Sequence, residues 1–418
     1  METIGFGYKT MISHYRCTLC NHIWQPDEVT YTCPHDGGNL DTILDFEGVS
    51  PETILESPDR SVWRYTPLLP VSDPGFERTP LHQVGYTPVY EPERLRTQLG
   101  LRRLFIKDES RNPSASFKDR ASAIVVARAL ETNVQTIVAA STGNAGAAMA
   151  CMAAAVGMPA VILAPRTAPP AKVAQLLVYG ARVILVDGSY DQAFDLSIEA
   201  SHEFGWYNRN TGYNPFTVEG KKTAGFEIWE QVLRHLPSNE RLNVFISVGD
   251  GNILSGVYKG FKDLLSLGWL DQMPRIIGVQ AEGSAAVANA FFAGDDYITP
   301  VNSNTLADSV SVDLPRDGLR ALRSVRESGG FMLTVSDPEI LVAIPALGNS
   351  GIFVEPAASV AFAGLVKAVS AGQLDPSEPV LVLSTGSGLK DVRAATQSVA
   401  PAPIIEPTLE SLKRVIHG

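Results

Sequence analysis

The sequence predicts an α/β protein built on largely parallel sheets, and three observations carry that prediction. Short runs rich in Val, Ile and Leu alternate with longer stretches whose apolar residues recur at helical spacing. The runs are bounded by Gly, Pro, Asp or Ser, as buried strands are. Glycine- and hydroxyl-rich corners fall where a run ends and a helical stretch begins. Residues 103–107, 135–140, 160–164, 182–186, 244–248, 276–280 and 380–384 read as buried strands. Residues 118–130, 143–156, 170–179, 191–204, 218–236 and 253–265 read as helices. Alternation of this kind needs crossover connections, and crossovers give parallel pairing.

At 418 residues and 45% hydrophobic, the chain can bury a large core, divided among two or three domains. Its net charge of −11, with no Lys/Arg-rich run, argues against nucleic-acid and anionic-membrane partners. The apolar stretch 145–155 is too short and too rich in Ala to span a bilayer. Residues 1–10 lack the charged-then-apolar layout of a secretory signal. Four cysteines fit a reducing compartment better than a disulfide scaffold, so a cytoplasmic protein is expected.

Segment 10–45 reads as a separate, zinc-ribbon-like unit. Cys17, Cys20 and Cys33 have the spacing of two metal-binding knuckles, with Asp36 where a full ribbon has its fourth cysteine. His14, His22 or His35 would complete a Cys3His set; the other reading is a ribbon that keeps its shape without metal. Residues 50–99, rich in Pro and Gly, read as a wrapping segment. Residues 400–407 read as a linker to a final helix at 408–416.

Four places carry candidate chemistry. Lys118 follows the turn-forming Asn112, Pro113 and Ser114 and opens an apolar helix, a position where desolvation frees an amine for Schiff-base chemistry. Ser141, Thr142, Gly143 and Asn144 form a strand-to-helix corner whose amides suit a carboxylate or phosphate. Gly249, Asp250, Gly251 and Asn252 form a second corner able to surround a phosphate. Thr385, after the last predicted strand, offers a hydroxyl to a pyridine nitrogen, which leaves that nitrogen largely unprotonated. Gly-x-Ser-x-Gly, His-Glu-x-x-His and a phosphate loop ending in Gly-Lys-Ser/Thr are all absent from the sequence.

Together these segments resemble the fold-type II pyridoxal-phosphate enzymes (the tryptophan synthase β-like fold), and among them the threonine synthase family. The resemblance rests on Lys107-Asp108-Glu109, Ser116-Phe117-Lys118-Asp119-Arg120, Ser141 to Asn144, Asn214-Pro215 with Glu219-Gly220-Lys221-Lys222-Thr223, Val279 to Gly283, and Gly388-Leu389-Lys390-Asp391. It implies two parallel-sheet domains with the cofactor between them. The larger is 62–133 with 213–400, and the smaller is 134–212, inserted into it. It implies pyridoxal 5'-phosphate on Lys118, with Asn144 at the ring oxygen, Gly249 to Asn252 at the phosphate and Thr385 at the ring nitrogen. Ser116, Ser141, Thr142, Asn210 and Thr211 would meet the substrate. The implied reaction eliminates phosphate from O-phosphohomoserine and adds water to give threonine, in a homodimer. Ala145, Thr217, Asp250 and Ser387 depart from the family pattern. Two of them, Ala145 and Thr217, lack groups that would meet the substrate's phosphate. The alternatives are therefore an ammonia-lyase or β-replacement enzyme on a related amino acid, or a non-catalytic relative without the cofactor.

Overall fold

The computed structural model describes residues 12–168 and 170–417. The stretch 1–10, read above as lacking a secretory layout, lies outside the described residues. Three sheets organise the described residues. The first is antiparallel, β2-β1-β3, from β1 (Ile12–Cys17), β2 (Ile23–Trp24) and β3 (Leu40–Leu44).

The largest sheet has the order β12-β11-β10-β13-β5-β4. Its strands are β4 (Val89–Tyr90), β5 (Leu104–Asp108), β10 (Asn243–Ser247), β11 (Arg275–Ala281), β12 (Phe331–Val335) and β13 (Val380–Ser384). All pairs are parallel except β4 with β5. The third sheet is fully parallel, order β8-β7-β6-β9, and all of it comes from the chain between β5 and β10. Its members are β6 (Ile137–Ala140), β7 (Ala160–Pro165), β8 (Arg182–Val186) and β9 (Tyr207–Asn208).

Every predicted strand forms, though one differs from expectation. Residues 182–186 read as buried, yet Ile184 and Leu185 are 39% and 50% exposed. Their strand is the sheet's edge, so only one neighbour covers it; the composition of a run does not encode its place in a sheet. The helix expected over 218–236 is Phe216–Gln231 followed by a short 3-10 turn, Leu233–His235. β12 and the helices Ala286–Ala293, Gly318–Glu327, Asp337–Gly348 and Pro356–Ser370 add to those expected.

Two features position the site. The last strand, β13, enters between β10 and β5, carrying Thr385 to the start of the helix Lys118–Glu131. There the Phe117 amide donates to the Thr385 carbonyl at 2.9 Å, and Ser116 bridges Gly386. Glycines let the helices Lys118–Glu131, Phe216–Gln231 and Asn252–Ser266 approach closely. A Cβ on Gly220 would lie 2.2 Å from the Arg120 carbonyl oxygen, and one on Gly260 2.3 Å from that of Lys222. The corners at Ser141, Gly249 and Thr385 all follow carboxyl ends of parallel strands, the usual place for a ligand in open α/β sheets.

Candidate active site

Lys118 sits in the first helical turn, held by its neighbours in sequence. Asp119, buried, accepts from the Ser114 amide at 2.7 Å and from the Ser114 hydroxyl, fixing the preceding turn. Arg120, also fully buried, is gripped from both sides. Its Nε and Nη2 donate to Glu109 at 2.7 and 2.8 Å, and its Nη1 and Nη2 donate to Glu227 at 2.6 and 2.7 Å. Lys107 pairs with the same Glu227 at 2.7 Å. Burial pushes the Glu227 carboxyl up, but the Arg120 and Lys107 charges outweigh it and hold the group at about 2. The backbone carrying Lys118 is thereby clamped.

The Lys118 amine faces two connected hollows, one of about 410 Å³ and one of about 50 Å³, which share Lys118, Asn144, Thr211, Asp250 and Ser309. Burial lowers the Lys118 ammonium to about 8; Glu355 and Asp250 oppose the shift and Arg209 adds to it. Roughly a tenth of that amine is therefore neutral at pH 7, far more than for an ordinary lysine.

The expected cofactor residues Lys118, Asn144, Gly249, Asp250, Gly251, Asn252 and Thr385 all line the smaller hollow. Gly251 sits at φ +87°, and a Cβ there would meet the Ala321 side chain and the Asp317 carbonyl at 2.8 Å, so the turn requires glycine. Of the expected substrate residues, Ser141, Thr142, Asn210 and Thr211 line the larger hollow. Ser116 lines neither, and its buried Oγ has no partner among the described residues. The Asn210 amide is committed to the scaffold, accepting from Ala140 N at 2.8 Å and donating to Ser197 Oγ at 2.7 Å. Ser141 Oγ accepts from the Gly146 amide at 3.0 Å, capping the helix Asn144–Ala155.

Of three further functional candidates, Lys221 lies in the Glu219-to-Thr223 segment that carried the resemblance, whereas Glu355 and Arg209 had no signal strong enough to find in the sequence. Glu355 is buried, and Asn144 Nδ2 donates to it at 2.6 Å. Lys221 lines the smaller hollow and donates to Asn252 Oδ1. Burial, then the Lys118 and Arg209 charges, push its ammonium well below the ordinary lysine range. Arg209 is 1% exposed and lines the larger hollow. Its Nε and Nη1 donate to Ser122 Oγ at 3.2 Å and Thr211 Oγ1 at 2.8 Å, while its Nη2 has no partner among the described residues. Asp250 lines both hollows. Burial holds its carboxyl above the usual range, opposed by the Arg316 amide and the Lys221 and Lys118 charges.

Comparison with known proteins agrees with this geometry. Residues 81–386 match the family model for pyridoxal-phosphate dependent enzymes. The threonine synthase of Methanosarcina acetivorans is 36% identical over 97% of this chain and 99% of its own. That of Methanocaldococcus jannaschii is 36% identical over 96% and 98%. The chain belongs to the threonine synthase family. In fold, this family member is similar to diaminopropionate ammonia lyase from Escherichia coli, with a TM-score of 0.65 at 21% identity over 85% and 95% of the two chains. Processed threonine deaminase isoform 2 from Solanum lycopersicum gives a TM-score of 0.64 at 24% identity over 78% and 86%.

The cofactor of this family is pyridoxal phosphate, and the residues present fit it. Three basic groups (Lys118, Lys221 and Arg209) share one cleft, each with its pKa pulled down by burial first. Burial also holds the Asp250 and Glu355 carboxyls of the smaller hollow above the usual range, toward their neutral form, which leaves the basic groups to favour an anion. Backbone amides of the 249–252 corner, at the start of the helix Asn252–Ser266, favour a phosphate in the same place.

Proposed function

We propose that the protein is a threonine synthase that converts O-phosphohomoserine and water to threonine and phosphate. The observation that carries this reading is Arg209, a buried guanidinium on the wall of the cleft that Lys118 faces, whose Nη2 has no partner among the described residues. An unphosphorylated hydroxy-amino acid has no second anion for such a group, whereas O-phosphohomoserine brings both a carboxylate and a phosphate. Thr217 stands where the family motif carries arginine, yet it is buried with its hydroxyl on the Asn214 carbonyl at 2.8 Å. Arg209, from the end of β9, supplies the positive charge instead.

When bound, pyridoxal phosphate supplies the electron sink that makes the substrate's α- and β-hydrogens acidic. Lys118, the cofactor's attachment point, then carries protons as an amine poised near neutrality. It takes one proton from Cα and one from Cβ as phosphate leaves Cγ, and returns one to Cγ and one to Cα as water adds its OH at Cβ and its remaining proton goes to the released phosphate. Lys221 and the amides of Gly249 to Asn252 would hold the cofactor phosphate, Asn144 braced by Glu355 would orient the ring, and Thr385 would offer its hydroxyl to the ring nitrogen. Ser141 and Thr142, at the start of a helix, hold the substrate carboxylate. Cytoplasmic residence and a homodimer belong to the same reading. The four free cysteines support the first, and solution scattering tests the second.

A substrate panel of O-phosphohomoserine, threonine and serine, read for phosphate and keto acid together, tests the function. Phosphate and threonine are expected from the first alone. Lys118→Ala should lower that rate at least about a hundredfold and remove the cofactor's visible absorbance. Keto acid from threonine, with no phosphate from phosphohomoserine, would replace the synthase by a lyase.

A further inference from the structure

We infer that the N-terminal ribbon binds one divalent ion of the zinc class through Cys17, Cys20, Cys33 and Asp36. The ion, by fixing the ribbon, braces the 249–252 corner. The donor atoms of these four residues lie within 4.8 Å of one another. Cys20 Sγ and Cys33 Sγ are 3.8 Å apart, and Cys17 Sγ lies 3.3 and 3.6 Å from the two oxygens of Asp36. A tetrahedral zinc with Zn–S near ~2.3 Å and Zn–O near ~2.1 Å separates sulfur pairs by about 3.8 Å and sulfur–oxygen pairs by about 3.6 Å. The spacing is far beyond the ~2.05 Å of a disulfide.

The surroundings suit thiolates. The Leu19 amide and Trp24 Nε1 point at Cys17 and Cys33 sulfurs at 3.3 and 3.4 Å, and the Gly38 amide holds Asp36 Oδ1 at 2.9 Å. A Cβ on Gly38 would lie 2.7 Å from Cys17 Sγ, so glycine leaves the room the sulfur needs. The imidazoles of His22 and His35 instead pack on each other and on Trp24, at centroid distances of 4.5 to 4.8 Å. Three sulfur donors select a soft or borderline ion over calcium or magnesium.

The ribbon reaches the active site through Asn39. Its backbone joins both knuckles, accepting from Thr18 N at 2.9 Å and pairing with Thr32. Its side chain donates to the Arg316 carbonyl at 2.9 Å and to Asp317 Oδ1 at 2.8 Å. The other oxygen of Asp317 accepts from Asn252 Nδ2 at 2.9 Å, and the Asp317 amide donates to the Asp250 carbonyl at 2.9 Å. One buried carboxylate is thus shared between the ribbon and the corner placed at the cofactor phosphate. The metal assignment stands on the ribbon alone; the bracing rests on the cofactor reading.

The full chain, purified with its cofactor and without chelator, should contain one zinc per chain by elemental analysis. Exchange to cobalt should give thiolate-to-metal bands in the near ultraviolet and the intense visible bands of a tetrahedral site. Asp36→Ala should weaken metal binding at least about tenfold, Asp36→Cys should restore it, and His22→Ala and His35→Ala should leave it unchanged. Stripping the metal, or Asn39→Ala with its zinc retained, should weaken pyridoxal-phosphate binding roughly tenfold, as loss of a charge-assisted hydrogen bond does. No stoichiometric zinc and no cobalt bands, or an Asp36→Ala affinity equal to wild type, would overturn the metal site. Unchanged cofactor affinity in both the stripped protein and Asn39→Ala would overturn the bracing. A wild-type chain that holds zinc and no pyridoxal phosphate would count against the cofactor reading and not against the metal.

Discussion

At the level of single residues, Lys118 differs from an ordinary lysine only by its surroundings. Burial lowers its ammonium to about 8, so the neutral amine becomes the major form as pH rises through that value. The rate at which cofactor-free protein takes up pyridoxal phosphate should therefore climb with pH around a midpoint near about 8. An exposed lysine would place it near ~10.4. Stopped-flow absorbance across the range checks it, and a rate still rising linearly beyond pH 10 would contradict the assigned environment. Arg209 carries a separate prediction. Arg209→Met keeps the apolar stem but removes the buried charge assigned to the leaving phosphate, so KM for O-phosphohomoserine should rise about tenfold to a hundredfold. Cofactor absorbance should persist, because Lys118, Lys221 and the 249–252 corner are untouched. If affinity for the cofactor fell while KM held, Arg209 would belong to the cofactor and not to the substrate. Neither Arg209 nor Glu355 was legible in the sequence, since a lone charged residue outside a motif looks like any surface charge until the fold buries it. Lys118, by contrast, announced itself through a contiguous turn, hydroxyl and apolar run.

Between elements, the ion cluster of Arg120, Glu109, Glu227 and Lys107 ties the helix Lys118–Glu131 to β5 and to the helix Phe216–Gln231. Arg120→Met would leave two carboxylates in a dry interior, and urea unfolding of the cofactor-free chain at pH 7 should show a loss of about 3–5 kcal/mol. The sign with pH follows from Glu227, which is held at about 2 when folded. Its ionised form stabilises the fold above the unfolded value of ~4.3, and that contribution is lost as pH falls toward 2. The gap between wild type and variant should therefore narrow below pH 4; a gap constant with pH would assign the loss to packing. The same scale shows what a sequence conveys about elements. Strands 137–140, 244–248 and 380–384 were readable because buried parallel strands concentrate Val, Ile and Leu between turn residues. The helix Pro356–Ser370 was not, because it is buried on nearly every side and has no polar face to set its period. β8 was readable as a strand and misleading as to burial, since its edge position is decided by the chain's later path.

Across the whole molecule, the cleft lies between the sheet that holds β6 to β9 and the sheet that holds β10 to β13, and two ion pairs span it. Arg316 Nη2 meets Asp191 Oδ1 at 2.5 Å, and Lys172 pairs with Asp308. Asp191 and Lys172 belong to helices flanking the smaller sheet, whereas Arg316 and Asp308 lie in the 303–317 stretch that lines the larger hollow. Both pairs are partly exposed, so each contributes only about 0–1 kcal/mol to folding, less as salt rises. Their leverage is on the opening of the cleft, where a small bias shifts the closed population directly. Asp191→Asn with Lys172→Gln should therefore leave the melting temperature within about 2 °C of wild type, while raising KM for substrate and speeding release of bound cofactor. Added salt should move the wild type toward the variant and leave the variant nearly unchanged. Thermal melts beside steady-state kinetics at two salt concentrations separate the possibilities. Equal loss in stability and in KM would make the pairs ordinary scaffold contacts, and an identical salt response in both proteins would remove electrostatic closure from the account.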